Sequence, residues 1–384
     1  MIAPTPYFSD RGCHVRIYEE ARALTKLGHE VCIVTYHLGR DMPGVRVVRT
    51  PCIPWYNKLE AGPCWHKPYL DILLLWKSLA AARSFRPHLI HAHLHEGALI
   101  GAVLKLLLRI PLLFDYQGSL TGESLNHDFF HKRSPLMSLF KWTERFIDRR
   151  ADAIITSSDQ GRQELVNAWG IPANTVSNLI DGVDTEVFRP YTQSEVRREF
   201  GIAAEVKLVV YLGLFNRYQG VDLLLDAISI VKSKSSNVRF LLMGFPDEEY
   251  RKKAQKMGID DVIIFTGRVQ YERAAFFLSA GDLAVSPKLA QTEANGKLFN
   301  YMACGLPTVV FDSHINREIL GDTGIYVEYG NTAALADAII VSVSNSEGMR
   351  SFSKKVRDRA IEMHSWDSRS RQLEMIYRAL LKME

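Results

Sequence analysis

Short apolar runs alternate with amphipathic helical stretches along the whole chain, and the alternation starts over near its middle. A strand followed by a helix and then another strand returns the chain in the same direction, so this pattern specifies parallel sheets covered by helices on both faces. In the first half, strands are predicted at Met1–Pro4, Val31–Thr35, Val45–Arg49, Leu89–His93, Leu112–Tyr116, Ala153–Ser157 and Val176–Leu179, with helical patterns such as Val15–Leu27 and Ser138–Arg150 between them. In the second half they are predicted at Leu208–Leu212, Val238–Met243, Val262–Thr266, Leu283–Ser286, Thr308–Phe311 and Gly324–Val327, with helices over Gly220–Lys232, Tyr271–Leu278 and Gly296–Met302. Polar Gly182–Phe200, which contains Pro190, reads as a linker. The expected architecture is α/β, with two doubly wound units, and at 384 residues each unit is long enough to bury its own core. The first strand is short, so either it is clipped or the true start lies upstream of Met1.

Composition narrows the function classes. The five cysteines are scattered and form no C-x-x-C pair, which argues against a disulfide framework or a zinc site and for a reducing, cytoplasmic compartment. A formal net charge of +4 suits an anionic ligand or an acidic membrane surface and is too small to argue for nucleic acid. The apolar runs Leu70–Trp76 and Gly97–Leu108 fall short of the ~20 residues that span a bilayer. No secretory leader pattern opens the chain.

Ligands of open α/β sheets bind beyond the carboxyl ends of the strands, where loops meet helix N-termini. Four such places carry chemistry-bearing residues. After the first strand, Pro6–His14 contains Gly12, where the backbone can approach an anion, although an ordinary turn explains the same residues. The run His91-Ala92-His93-Leu94-His95 places three histidines on one strand face for as long as the strand lasts. His93, ahead of His95, is the candidate to contact a sugar hydroxyl or polarise a reacting group; a solvated loop histidine and a metal ligand are the rivals. Phe114–Ser119 is suggestive by position alone. The fourth place, Ser286–Pro307, runs from a strand end through a loop into a helix near Gly296. There the helix N–H groups and Lys297 suit a diphosphate, Glu293 suits sugar hydroxyls and Asn300 suits a ribose, while Phe299 and Met302 read as core. It is not a P-loop, since Gln291 and Leu298 occupy its defining positions, and G-x-G-x-x-G occurs nowhere in the chain.

Taken in order, several segments resemble the glycosyltransferase family 4 (group 1) enzymes of the GT-B fold. Leu24–Val31 resembles that family's L-x-x-x-G-H-x-V, and His91-Ala92-His93 its H-x-H. Ile180–Pro190 resembles P-N-G-V-D…F-x-P, Tyr211–Asp222 resembles Y-x-G-R…K-G-x-D, and Met302–Pro307 resembles M-A-x-G-x-P. The resemblance implies two Rossmann-like domains facing a cleft: an acceptor domain at 1–185, onto which the C-terminal helix 366–384 returns, and a donor domain at 186–365. It implies a retaining, metal-independent hexosyltransferase that uses a UDP- or GDP-sugar as donor substrate, with no other cofactor, and a lipid-linked or saccharide acceptor. The candidate catalytic residues are His93, His95 and Glu293. The candidate nucleotide-binding residues are Gly12, Arg217, Arg268, Asn295, Gly296, Lys297, Leu298 and Asn300, and no metal ligand is expected. The family's E-x7-E is not intact, because Asn300 stands at its second glutamate and Thr292 at its first, with Glu293 one residue off. The usual diphosphate-facing Arg and Lys are Leu214 and Gln219, so Lys297 or Arg217 must substitute. These replacements keep open a catalytically inactive subunit, and a sugar-nucleotide epimerase of the same fold is the other alternative. Phe129–Arg150 mixes basic and apolar residues at helical spacing, which suits either the inner face of an anionic membrane or a solvated helix.

Overall fold

The computed structural model describes residues 1–59, 66–121, 136–290 and 294–383. They form two compact units. The first is built on Met1–Asp181 and takes in the stretch from Trp366 onward; the second is built on Gly182–Gln291 and Asn295–Ser365.

The first unit contains a seven-stranded sheet of β1 (Ile2–Ala3), β2 (Cys32–Thr35), β3 (Arg46–Arg49), β4 (Ile90–His93), β5 (Leu112–Tyr116), β6 (Ala153–Thr156) and β7 (Val176–Asn178). Its order is β3-β2-β1-β4-β5-β6-β7, and every pairing is parallel. Period-two alternation divides the residues of β5. Leu112, Phe114 and Tyr116 join the larger core with Leu70 and Leu74, while Leu113 joins Leu24, Ile155, Leu179 and Leu373 on the other side. Leu373 lies on the helix Trp366–Leu381, which packs against the helix Gly12–Lys26 within this unit.

The second unit contains a six-stranded parallel sheet of β8 (Lys207–Leu212), β9 (Val238–Met243), β10 (Ile263–Gly267), β11 (Leu283–Ser286), β12 (Thr308–Phe311) and β13 (Gly324–Val327), in the order β10-β9-β8-β11-β12-β13. Leu208–Tyr211 has no solvent exposure, as expected for a central strand covered on both faces.

In both units the strand order reverses beside the first strand, between β1 and β4 and between β8 and β11. Those switch points are where loops diverge and leave room for a ligand.

Gly182–Phe200 is not a linker. Val183 bridges Ser365, Phe188 is fully buried against the Tyr271 ring, and Gln193–Glu199 is a helix. The segment reads as a linker because it is polar, but Arg197 within it bonds inward. Arg197 is 4% exposed and donates to the carbonyls of Ala280, Ala204 and Val206 and to the Asp282 carboxylate.

Candidate active site

At the switch point of the first unit, β1 runs into the segment before the helix Gly12–Lys26. The backbone N–H of Ser9 donates to His14 Nδ1 at 2.9 Å, and His14 Nε2 lies 2.5 Å from Thr5 Oγ1 and 2.9 Å from Arg11 Nη2. Arg11 Nη2 also donates to Thr5 Oγ1. This buried cluster shapes the turn, and Gly12 follows it as the exposed first residue of the helix. Among the described residues, no atom outside the helix and the chain neighbours stands within 4 Å of where a side chain would begin at Gly12.

β4 ends at His93, and the chain turns through Leu94 in the left-handed region, φ 61°, into the helix Leu94–Leu108. His91 and His93 share one side of the sheet and stack with ring centroids 4.4 Å apart. Both are buried. His93 Nδ1 lies 2.9 Å from Asp115 Oδ2, its register partner on β5, and His93 Nε2 has no hydrogen-bond partner among the described residues. Asp115 in turn accepts from Arg16 Nε and Nη2, both at 2.9 Å, and from Gln117 Nε2 at 2.7 Å. Burial alone would raise the Asp115 carboxyl pKa, but the Arg16 guanidinium and His93 outweigh it and hold that carboxyl well below the usual carboxylate range.

His95 does not continue that face. The strand stops two residues earlier, and His95 packs edge-on against Phe114 and Tyr116, which alternate with Asp115 and so project from the opposite side of β5. Its Nε2 is 3.5 Å from Asp148 and 3.6 Å from Glu144. Glu144 accepts from the N–H groups of Leu120 and Thr121, so the carboxylate that His95 faces anchors the loop after β5.

The second switch point gathers the loops after β8 and β11. Asn216 Oδ1 accepts from Gln219 N at 3.0 Å and closes a turn, and Gly220 follows at φ 75°. A Cβ at Gly220 would stand 1.9 Å from the Pro287 carbonyl oxygen, so glycine is required by both conformation and contact. The Leu289 N–H donates to the Tyr218 carbonyl, fastening the two loops together.

Lys297 opens the helix Lys297–Ala303. Its Nζ donates to Gln219 Oε1 at 2.6 Å and sits 4.5 Å from the centre of the Tyr211 ring. No carboxylate pairs with it among the described residues. Burial, reinforced by the like charge of Lys288, pushes the Lys297 ammonium well below the ordinary lysine range.

The remaining sequence candidates divide. Asn295 is 2% exposed and turned inward: its Nδ2 donates to Ser286 Oγ and to Asn316 Oδ1, both at 3.0 Å. Leu298 is fully buried, and its N–H is taken by the Asn295 carbonyl. The expectation that these two face a ligand is therefore corrected: they anchor the loop to the core. Gly296 and Asn300 are half-buried at the start of the same helix. Arg217 is exposed in the turn that ends at Gly220. Arg268, just beyond β10, stacks its guanidinium 5.0 Å over the Phe245 ring, and no contact among the described residues joins it to Lys297. Glu293 lies outside the described residues.

Sequence reasoning missed Arg16 and Glu20, which are buried beside Ile17, Ala21 and Leu24 on the inward face of their helix. Charged residues four apart on an apolar stripe were the available signal.

The chain matches the family described as Glycosyl transferase 4-like domain over residues 11–178 and the family described as Glycosyl transferases group 1 over residues 206–345. It belongs to the group 1 glycosyltransferases of the GT-B fold. Among its relatives, sulfoquinovosyl transferase SQD2 of Arabidopsis thaliana is 24% identical over 379 residues, covering 95% of this chain and 70% of that protein. In fold, sucrose-phosphate synthase from Thermosynechococcus elongatus superposes with a TM-score of 0.82 at 21% identity, covering 99% of this chain and 96% of that one. Anabaena Alr3699/HepE, solved with UDP-glucose, superposes with a TM-score of 0.77 at 16% identity, covering 98% of each chain. The glycosyltransferase moves a sugar from a nucleotide-sugar donor. Its relatives lend no support to the epimerase or inactive-subunit readings. No helix among the described residues of this transferase is long and apolar enough to cross a membrane.

Proposed function

We propose that this glycosyltransferase moves a hexose from a UDP- or GDP-hexose to a lipid or saccharide acceptor, with retention at the anomeric carbon and without a divalent metal. One observation carries the reading. Lys297, half-buried at the start of the helix that follows β11, has no carboxylate partner among the described residues, and the like charge of Lys288 acts on it. A half-buried ammonium with no paired carboxylate is compensated by an anion, and a diphosphate supplies one. Where the family carries its lysine, this chain has Gln219, and Lys297 Nζ reaches Gln219 from the adjacent loop. The cation is thus delivered from a different position. Charge grows on the leaving diphosphate as the glycosidic bond breaks, and a preorganised ammonium stabilises that charge more than it stabilises the ground state. The remaining roles extend the family resemblance: His93 contacts the transferring sugar, Glu293 holds its hydroxyls, Asn300 faces the ribose, and Gly12 leaves space for a phosphate. Retention and metal independence rest on the resemblance alone.

The test is slow hydrolysis of a panel of uridine, guanosine and adenosine diphosphate sugars without acceptor. One donor should be hydrolysed, equally with and without a chelator, and Glu293→Ala should abolish the reaction. Turnover of none, or Glu293→Ala at wild-type rate, rejects the reading.

A membrane-borne acceptor is favoured by the helix Leu136–Asp148. Leu139 is 55% exposed and Trp142 62%, and Trp142 stacks on Phe146 at 5.5 Å. Lys141, Arg145, Arg149 and Arg150 lie among them. Aromatic and aliphatic groups beside cations fit the headgroup boundary of an anionic leaflet. Lys132 and Arg133 lie outside the described residues. Sedimentation with anionic vesicles should exceed that with neutral ones and fall with salt; equal, negligible binding to both rejects the surface.

A further inference from the structure

Four buried side chains on one side of the first sheet, Glu20, His91, His93 and Asp115, bring donor atoms within 4.8 Å of one another. That spacing would suit a divalent cation, but a cation of the protein's own already engages the cluster. Arg16, 3% exposed, holds both Asp115 oxygens in a fork and stands 3.1 Å from Glu20 Oε1. Its third nitrogen donates to the Leu179 carbonyl at 3.0 Å and to Asp181 at 2.5 Å. The guanidinium is therefore fixed from three directions, and it fixes Asp115 in turn.

Asp115 is left with its Oδ2 toward His93 Nδ1. A carboxylate that accepts from Arg16 and Gln117 is ionised, and an ionised oxygen 2.9 Å from Nδ1 requires a proton on that nitrogen. We propose that Arg16 and Asp115 are positioning residues that hold His93 as its Nδ1–H tautomer, so that Nε2 meets the bound sugar as a hydrogen-bond acceptor. The inference rests on the reading that His93 contacts the transferring sugar. It adds the polarity of the contact, in which Nε2 accepts a hydrogen bond from a sugar hydroxyl rather than donating one, and it names the two residues that set it. The surroundings agree. Burial, with the nearby Arg16, works against a charged imidazole and outweighs Asp115, so the His93 pKa is lowered. His91, stacked on the same ring, is also shifted toward neutral, with its Nδ1 2.7 Å from the Tyr377 hydroxyl. Glu20 is raised toward its protonated form chiefly by burial.

The experiment is long-range 1H–15N correlation of the histidine rings, with the His93 signals assigned by their loss in His93→Gln. In the wild-type transferase His93 should be neutral and protonated on Nδ1; a proton on Nε2 alone overturns the proposal without any variant. In Asp115→Asn the Nδ1 proton should no longer be held, and kcat should fall roughly 100-fold with donor KM changed less than about threefold. Arg16→Lys, which keeps the charge but loses the fork, should retain the tautomer in part and lose about tenfold in kcat. An Asp115→Asn ring that keeps the wild-type tautomer overturns the proposal. A tautomer that changes while turnover does not would uphold the positioning and instead reject His93 as a sugar contact.

Discussion

Replacing Lys297 by alanine lowers kcat/KM for the nucleotide-sugar donor by about 100- to 1,000-fold, the loss of about 2.7–4 kcal/mol that follows removal of one preorganised stabiliser of a leaving anion. The amine bonds Gln219 and lies over Tyr211, so its place does not depend on ligand. In the empty protein that placement is costly, since burial and Lys288 disfavour its charge. Alanine removes the cost together with the modest hydrogen bonds to Gln219 and to the Tyr211 hydroxyl, so the melting temperature of the unliganded protein shifts by less than about 3 °C. A large kinetic defect in a protein of unchanged stability separates loss of a binding group from loss of the fold. The sign of the pH effect follows from the same shift. A lysine pKa depressed in the empty site returns toward its ordinary value beside a diphosphate, so donor binding takes up a proton as pH rises through the depressed value.

Arg197→Ala destabilises the second unit by about 3–5 kcal/mol, the usual result of breaking a buried, hydrogen-bonded ion pair on one side. Its guanidinium satisfies three carbonyls and Asp282, and the same Asp282 oxygen accepts from the N–H of Leu208 at the start of β8. Alanine leaves the carboxylate and the carbonyls short of donors and loosens the strand that leads into the 216–220 loop. Denaturant unfolding followed by circular dichroism checks this; a loss below about 1 kcal/mol would show that Arg197 is only a surface tether.

The strands were legible because a parallel sheet buried on both faces demands continuous apolar runs, as in Leu208–Leu212 and Leu112–Tyr116. The switch-point loops were legible for a related reason, since glycine and polar residues cluster where those runs stop. Inward-facing charge was not. Arg16, Glu20 and Arg197 are buried, and composition cannot tell a charge held by buried partners from one in water. His95 was misplaced because period two holds only within the strand, and the turn at Leu94 follows from tertiary packing rather than local pattern. Asn295 and Leu298 lie in the right motif, but their directions depend on Ser286 and Asn316, which the motif does not specify.

The central claim is that Lys297 receives the diphosphate of the donor. Isothermal titration of uridine, guanosine and adenosine diphosphate sugars, in two buffers of different ionisation enthalpy, tests it most directly. The wild-type protein should bind one of these donors with net proton uptake, and Lys297→Ala should bind it at least about 30-fold more weakly with no uptake. Equal affinity and equal proton exchange in the two proteins would contradict the account.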